Sequence, residues 1–347
     1  MTSPFDPDAA ATPDSGLFGL TCTPDQAAIH VLAVPFDATT SYRPGTRFGP
    51  QAVLAASHQI DLFDRFFGKP YKAGIVLVED SRFEIWNAEA RLLTEPIIAL
   101  GGHIGENPQA QSDLERVNEI GQQVRQTVSS FAEQCLAEGR IPAVLGGDHS
   151  VPQGCIEACA KSNPGMGILH IDAHADLRDA YEGFKFSHAS ILHNVLEEAP
   201  GVSHLLQIGL RDLGENEVAR IEKDDRIHVL FDEDWAEARL AGGLLPNLVR
   251  EAIQKLPEKV YVTLDIDGLD PSLCPGTGTP VPGGLLWSET MLILKELARS
   301  GRTVVGFDLC EVSPGSKSDP EGTGWDSVVG ARLLYKLCGC ALHNTTG

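Results

Sequence analysis

No apolar stretch in this 347-residue sequence approaches the roughly 20 residues that a membrane-spanning helix requires, which argues against a membrane protein. Met1 to Thr23 has no basic start and no apolar centre, so no secretory signal is expected there. Eight cysteines are present (Cys22, Cys135, Cys155, Cys159, Cys274, Cys310, Cys338 and Cys340), yet none stand in CxxC spacing. That removes the usual disulfide framework and zinc knuckle and fits a reducing, cytoplasmic setting. Cys155 and Cys159 lie about one turn apart in an expected helix; they could bind a metal, but read more simply as two buried thiols on one face. Positive charge is scarce as well, with 27 Lys and Arg against 48 Asp and Glu and a formal net charge of −21. Such a field repels a phosphate backbone and anionic lipid, so neither nucleic acid nor a membrane is expected as a partner. It mildly favours the approach of a divalent metal or a small cationic substrate.

What is present reads as a globular α/β chain. Hydrophobic residues make up 42% and charged residues 22%, near the norm for a packed domain. Residues 1–25, rich in Pro, Asp, Ser and Thr, read as an N-terminal arm outside the core. Beyond them, continuous apolar runs at 29–34, 74–78, 141–145, 167–171, 205–208, 227–231, 260–264 and 303–307 alternate with helical stretches such as 114–138, 153–160, 244–256 and 288–300. Continuous rather than alternating runs imply strands buried on both faces, and the βαβ rhythm implies a parallel sheet. The expectation is a three-layer α/β/α fold with a mostly parallel sheet of about eight strands, in one domain spanning 26–347 without linker or repeat.

Ligands of such sheets gather where loops leave the carboxyl ends of the strands. The chemically suggestive residues fall at those points. GGDHS (146–150) places His149 straight after the 141–145 run, a weak signal by itself. LHIDAHADL (169–177) is stronger: Asp172, His174 and Asp176 stand at i, i+2 and i+4 beyond a strand, and extended spacing turns them to one side. VTLDIDGLDP (262–271) ends another strand with Asp265 and Asp267, two carboxylates that repel unless a cation lies between them. Four carboxylates and two imidazoles are more than one ion needs and suit two ions sharing bridging carboxylates. With no thiolate among them, they suit Mn, Fe, Co, Ni or Zn in a catalytic site. His188, in the loop after the DxHxD cluster, is placed to shuttle a proton, or is an inert loop histidine. Glu311, leaving the 303–307 run, calls for a cation, either an internal Arg or a guanidinium, whose planar fork matches a carboxylate.

These motifs occur in a fixed order: GGDHS, HIDAHAD, DIDGLDP, GTGTP (276–280) and EVSP, preceded by PFD (35–37) and SYRPG (41–45). As a set they resemble the ureohydrolase family of arginases and agmatinases, from Val31 to Leu342. The resemblance implies a dimanganese centre bridged by Asp172 and Asp265, with His149 and Asp176 completing one ion's shell and His174 and Asp267 the other's. Water activated between the ions would attack a guanidinium carbon. Asp176 would hold that water and help move its proton, His188 would protonate the leaving amine, and Glu311 would grip the guanidinium.

The loop that arginases fill with Asn, Ser and small residues here reads LRDAYEGFKFSH (177–188) and looks more like that of agmatinases. Asp179 or Glu182 could then accept a distal ammonium, or both could simply be solvated. The expected reaction is agmatine to urea and putrescine. Guanidinobutyrate, guanidinopropionate, guanidine and arginine are the alternative substrates. An inactive ureohydrolase-like partner subunit and a metal-dependent deacetylase on a related fold are alternatives of other classes. Manganese is the family's usual metal and nickel the alternative, and the resemblance implies trimers or hexamers. The segment 101–107 is longer than the pattern leads one to expect; His103 within it reads as structural or surface.

Overall fold

In the computed structural model, which describes residues 5–12, 14–315 and 317–344, the eight apolar runs form the eight strands of one parallel sheet. They are β1 (Ile29–Val34), β2 (Ile75–Glu79), β3 (Ile141–Gly146), β4 (Met166–Ile171), β5 (Val202–Ile208), β6 (Ile227–Leu230), β7 (Lys259–Leu264) and β8 (Thr303–Leu309). Their order across the sheet is β2-β1-β3-β8-β7-β4-β5-β6. Successive residues of a central strand enter opposite layers. Leu169 and Ile171 of β4 pack into one apolar core and Met166 and Ile168 into the other, while Val260, Val262 and Leu264 of β7 oppose Tyr261.

Helices cover both faces. On one lie α1 (Gly49–Ser57), α7 (Asp232–Leu240), α8 (Leu245–Gln254), α9 (Trp287–Arg299) and α10 (Trp325–Leu342), whose apolar residues share the core of Leu169 and Val262. On the other lie α2 (Arg82–Ile98), α3 (Pro108–Ala137), α4 (Gln153–Ser162), α5 (Ile191–Glu198) and α6 (Glu215–Lys223). The three-layer α/β/α expectation is met. Among the described residues, no helix is long and apolar enough to cross a membrane.

Two boundaries differ from the sequence expectation. Helix α3 starts at Pro108 rather than near 114, because the Asn107 side chain accepts N–H bonds from Gln109 (3.1 Å) and Ala110 (3.3 Å) and proline suits the first helical position. Its first turn is polar, so apolar periodicity begins later than the helix. The arm, in turn, does not lie wholly outside the core. Leu17, Phe18 and Leu20 are buried in the α1/α10 layer, where Phe18 meets Tyr335 edge-on at 4.9 Å and its N–H bonds Ser57 Oγ at 2.8 Å. A short apolar run inside a Pro- and Asp-rich stretch was enough to dock it. Cys155 and Cys159 are buried free thiols on α4, as the simpler reading held.

The strand order matters for the site. β3, β8, β7 and β4 are neighbours at the centre of the sheet, and their carboxyl ends carry the segments of His149, Glu311, Asp265 and Asp172 respectively.

Candidate metal centre

The chain leaves β3 through Gly147, where a Cβ would sit 2.0 Å from the Phe36 carbonyl oxygen, so only glycine allows this close passage. The turn carries His149 inward over the sheet. Its Nδ1 lies 2.9 Å from Asp176 Oδ2, 3.1 Å from Asp172 Oδ2 and 3.6 Å from Asp265 Oδ2. Beyond β7, Gly268 lets the backbone abut Asp172, where a Cβ would meet the Asp172 nitrogen at 2.7 Å. That approach brings the DxD pair beside the DxHxD cluster. His174 Nδ1 lies 3.1 Å from Asp267 Oδ2 and 3.4 Å from Asp172 Oδ1, and the Asp267 N–H bonds Asp265 Oδ1 at 2.8 Å. Thr279, of the GTGTP segment, donates its hydroxyl to Asp267 Oδ2 at 3.2 Å.

All six sequence-predicted donors therefore meet in one place. Five of them fall into two groups of donor atoms with Asp172 in both, one of His149, Asp172 and Asp176 joined by His170, the other of Asp172, His174 and Asp267; Asp265 stands beside them, 3.6 Å from His149 Nδ1. Together these form a binuclear metal-binding site.

Electrostatics agree with that reading. Asp172, Asp176, Asp265, Asp267 and Glu311 are all buried, and among the described residues no Lys or Arg pairs with any of them. Burial, and then the neighbouring Asp172, pushes the Asp176 carboxyl up to about 7. Burial followed by Asp267 and Asp172 drives Asp265 well above the carboxylate range, and burial with Asp148 and Asp267 does the same to Glu311. Burial works against protonated imidazoles, yet the hydrogen-bonded Asp172 and Asp176 hold His149 well above its usual value, and Asp267 with Asp172 lifts His174 to about 12. The donor set thus holds more negative charge than its imidazoles can balance, and a pair of divalent cations fits it. Two of the residues also carry strained backbone: Asp176 and Glu311 stand in the left-handed region at φ 55° and 62°.

Glu311 is held by its backbone N–H to the Gly147 carbonyl (2.8 Å) and by Thr277 Oγ1 on its own carbonyl (2.8 Å). One carboxylate oxygen accepts the His149 N–H at 3.0 Å, while the other is buried without a partner, near Gly278. The alternative reading, an internal arginine paired with Glu311, does not occur among the described residues. His188 lines a cavity of about 180 Å³ together with His174, Asp176, Tyr181, Asp212 and Thr279. Its Nδ1 is buried without a partner, and burial, helped by His174 and His149, draws its pKa down to about 4.

The loop acids behave differently. Asp179 has a side chain 95% exposed, lies 3.3 Å from His193 Nε2, and faces a separate surface cavity with His193 and Arg220. Glu182, at φ 52°, keeps one carboxylate oxygen buried without a partner but does not line the cavity of His188. Gly102 packs against its backbone, so the 101–107 segment lies behind Glu182. The acids that line the cavity beyond the donor set are Asp212 and Glu217, and Glu217 is already used by the N–H groups of Leu177 (3.1 Å) and Gly214 (2.9 Å).

Sequence reasoning passed over the polar residues inside the strands. His170 of β4 touches Asp172 Oδ2 at 2.8 Å, and Thr263 of β7 touches His149 Nε2 at 2.8 Å and Asp308 of β8 at 3.0 Å. Parity was the available signal: His170 shares the alternation of 172, 174 and 176, and polar residues within buried strands need a reason.

A sequence model of the arginase family matches residues 27–339. The chain is 30% identical over 316 residues to the N(1)-aminopropylagmatine ureohydrolase of Synechocystis sp., covering 90% of this chain and 89% of that protein. It is 32% identical over 310 residues to the guanidinobutyrase of Pseudomonas aeruginosa, covering 88% and 84%. The crystal structure of the agmatine ureohydrolase of Thermoplasma volcanium aligns with a TM-score of 0.68 at 25% identity over 92% of each chain. With its two donor groups meeting at Asp172, the chain belongs to the arginase family of ureohydrolases and is a metal-dependent hydrolase.

Proposed function

We propose that this chain hydrolyses a guanidino compound to urea and an amine, with agmatine to putrescine as the first reaction to test. The observation that carries the reading is the pairing of a binuclear donor set with two unpartnered buried atoms beside it, Glu311 Oε2 and His188 Nδ1. His149, Asp172, Asp176 and Asp265 would hold one ion, and Asp172, His174, Asp265 and Asp267 the other. When bound, two divalent ions, manganese first and nickel second, lower the pKa of water and offset charge developing at the reacting carbon.

The chain's own groups do the rest. Glu311 Oε2 accepts a guanidinium N–H and fixes the planar carbon over the donor set. Asp176, turned inward by its left-handed backbone, accepts a proton from the attacking water. That proton passes from Asp176 through His188, whose Nδ1 is unpartnered and which lines the same cavity, to the departing nitrogen. As the C–N bond breaks the amine leaves neutral, and the hydroxyl proton remaining on the oxygen returns to Asp176 and then to solvent, so that urea remains. Residues 26–347 act as one catalytic domain in this reading, assembled as trimers or hexamers.

The distal end of the substrate is the open choice. The relatives are named for aminopropylagmatine, agmatine and guanidinobutyrate. Asp212, exposed at the cavity, is better placed than Asp179 to meet a distal ammonium, which favours agmatine over guanidinobutyrate.

The test is urea release from agmatine, guanidinobutyrate, guanidinopropionate, guanidine and arginine after loading with Mn²⁺ or Ni²⁺. Release from at least one is expected, and none from any would overturn the enzyme reading in favour of an inactive partner subunit. Asp267→Ala should bind fewer than two ions per chain and lose turnover.

A further inference from the structure

Two buried imidazoles, His149 and His170, stack with centroids 5.3 Å apart, and both reach the same oxygen, Asp172 Oδ2, at 3.1 and 2.8 Å. By position alone either ring could ligate, and one donor group contains both. The groups behind the rings separate them.

Behind His149, Nε2 lies 2.8 Å from Thr263 Oγ1, which lies 3.0 Å from Asp308 Oδ1. That oxygen also takes the Leu264 N–H at 3.2 Å, so it is an acceptor, and the single hydroxyl hydrogen of Thr263 goes to it. Thr263 must then accept from Nε2–H, which leaves Nδ1 as the nitrogen that faces the carboxylates and the one at which a metal ion would replace a proton. Nε2 is thereby occupied, and the neighbouring group of His149, Asp308 and Cys310 serves as support rather than as another metal site.

Behind His170 the direction reverses. The β4/β5 register sets His170 opposite Gln207, whose Nε2 lies 2.9 Å from the Ala175 carbonyl oxygen and 3.0 Å from His170 Nδ1. A carbonyl oxygen only accepts, so the amide nitrogen must face it, and its second hydrogen points at Nδ1. Turning the amide over would set two carbonyl oxygens against each other, and the arrangement is kept although Gln207 Oε1 is left without a partner. Nδ1 is thus an acceptor, and the ring proton sits on Nε2, aimed at Asp172 Oδ2.

We infer that His170 is a positioning residue rather than a metal ligand: Gln207 holds it in the Nε2-protonated form, and it donates to Asp172 and fixes that carboxylate's orientation between the two donor groups. His149, held in the Nε2-protonated form by Thr263 and Asp308, presents Nδ1 and ligates. The inference rests on the binuclear reading of the site. It makes Gln207, which touches no candidate ligand directly, a determinant of metal affinity.

The direct test is the histidine ring ¹⁵N–¹H spectrum of the wild-type protein before and after loading with diamagnetic Zn²⁺. The His170 Nε2–H signal, assigned by its loss in His170→Gln or its shift in Gln207→Leu, should persist on loading. Its disappearance would make His170 a ligand and overturn the inference. Equilibrium dialysis against Mn²⁺ supplies the second readout. Gln207→Leu should still bind two ions per chain, with affinity weakened about 10- to 100-fold. Unchanged Mn²⁺ affinity would overturn the role of Gln207 while leaving the metal centre standing. A wild-type chain that binds neither metal would overturn the binuclear reading and this inference with it.

Discussion

The ends of the central strands brought their expected residues together, whereas of the candidates on the 177–188 loop His188 reaches the cavity and the acids Asp179 and Glu182 do not. His149, Asp172, Asp265 and Glu311 follow β3, β4, β7 and β8, four neighbours in the sheet, so a strand order alone brings them together. Asp179 and Glu182 sit on a loop whose path depends on a tight Tyr181–Phe184 turn and on Gly102 from a distant segment. A buried strand has one path and two faces, whereas a loop residue goes where several unrelated contacts send it. Positions carried by strands are therefore the safer inference.

Variants that separate the two regions should differ by orders of magnitude. His188→Ala removes the proton donor at the cavity wall, and kcat should fall by about 10²- to 10⁴-fold with metal content unchanged, measured as urea release beside metal analysis. An unaltered kcat would return His188 to an inert loop histidine.

Stripping the metal should expose the charge the strand ends hold together. Asp176 in the folded chain titrates near 7, above its ordinary carboxylate value, so the protonated form is the one that favours folding. Its contribution is fully present below about pH 4 and is lost as the pH rises through about 7. The chelated protein should lose on the order of a few kcal/mol across that window, while the metal-loaded protein should not. Thermal melts at pH values on both sides of 7, with and without metal, check this; parallel melts would count against a charge-frustrated site.

Glu311→Gln keeps the shape but removes the charge facing the guanidinium. A charge-assisted hydrogen bond contributes about 1.5–3 kcal/mol, so kcat/KM should fall roughly 10- to 150-fold. The smallest effect belongs to the loop's exposed acid: Asp179→Ala should change KM for agmatine by less than about twofold, because exposed charge pairs contribute little. A tenfold rise would show that the loop closes over substrate and would reverse the contrast drawn between the regions.

Most of the fold was legible because strands buried on both faces leave continuous apolar runs, and eight such runs gave eight strands. The site was legible where donors follow those runs at alternate positions. His170 and Gln207 were not, since the reason for their polarity is a cross-strand contact 37 residues apart in sequence. Leu17, Phe18 and Leu20 were hidden by the polar residues around them, although their burial now ties the arm to α1 and α10. The 101–107 segment had no reading from sequence because its partner, the Glu182 backbone, offers no pattern of its own.

The most direct measurement of the central claim is metal stoichiometry in the wild-type chain and in Asp267→Ala, dialysed side by side against Mn²⁺. The account predicts two ions per chain in the first and fewer than two in the second, with urea release from agmatine or a close relative only in the first. Two tightly held ions and full turnover in Asp267→Ala, or no metal in the wild-type chain, would contradict it.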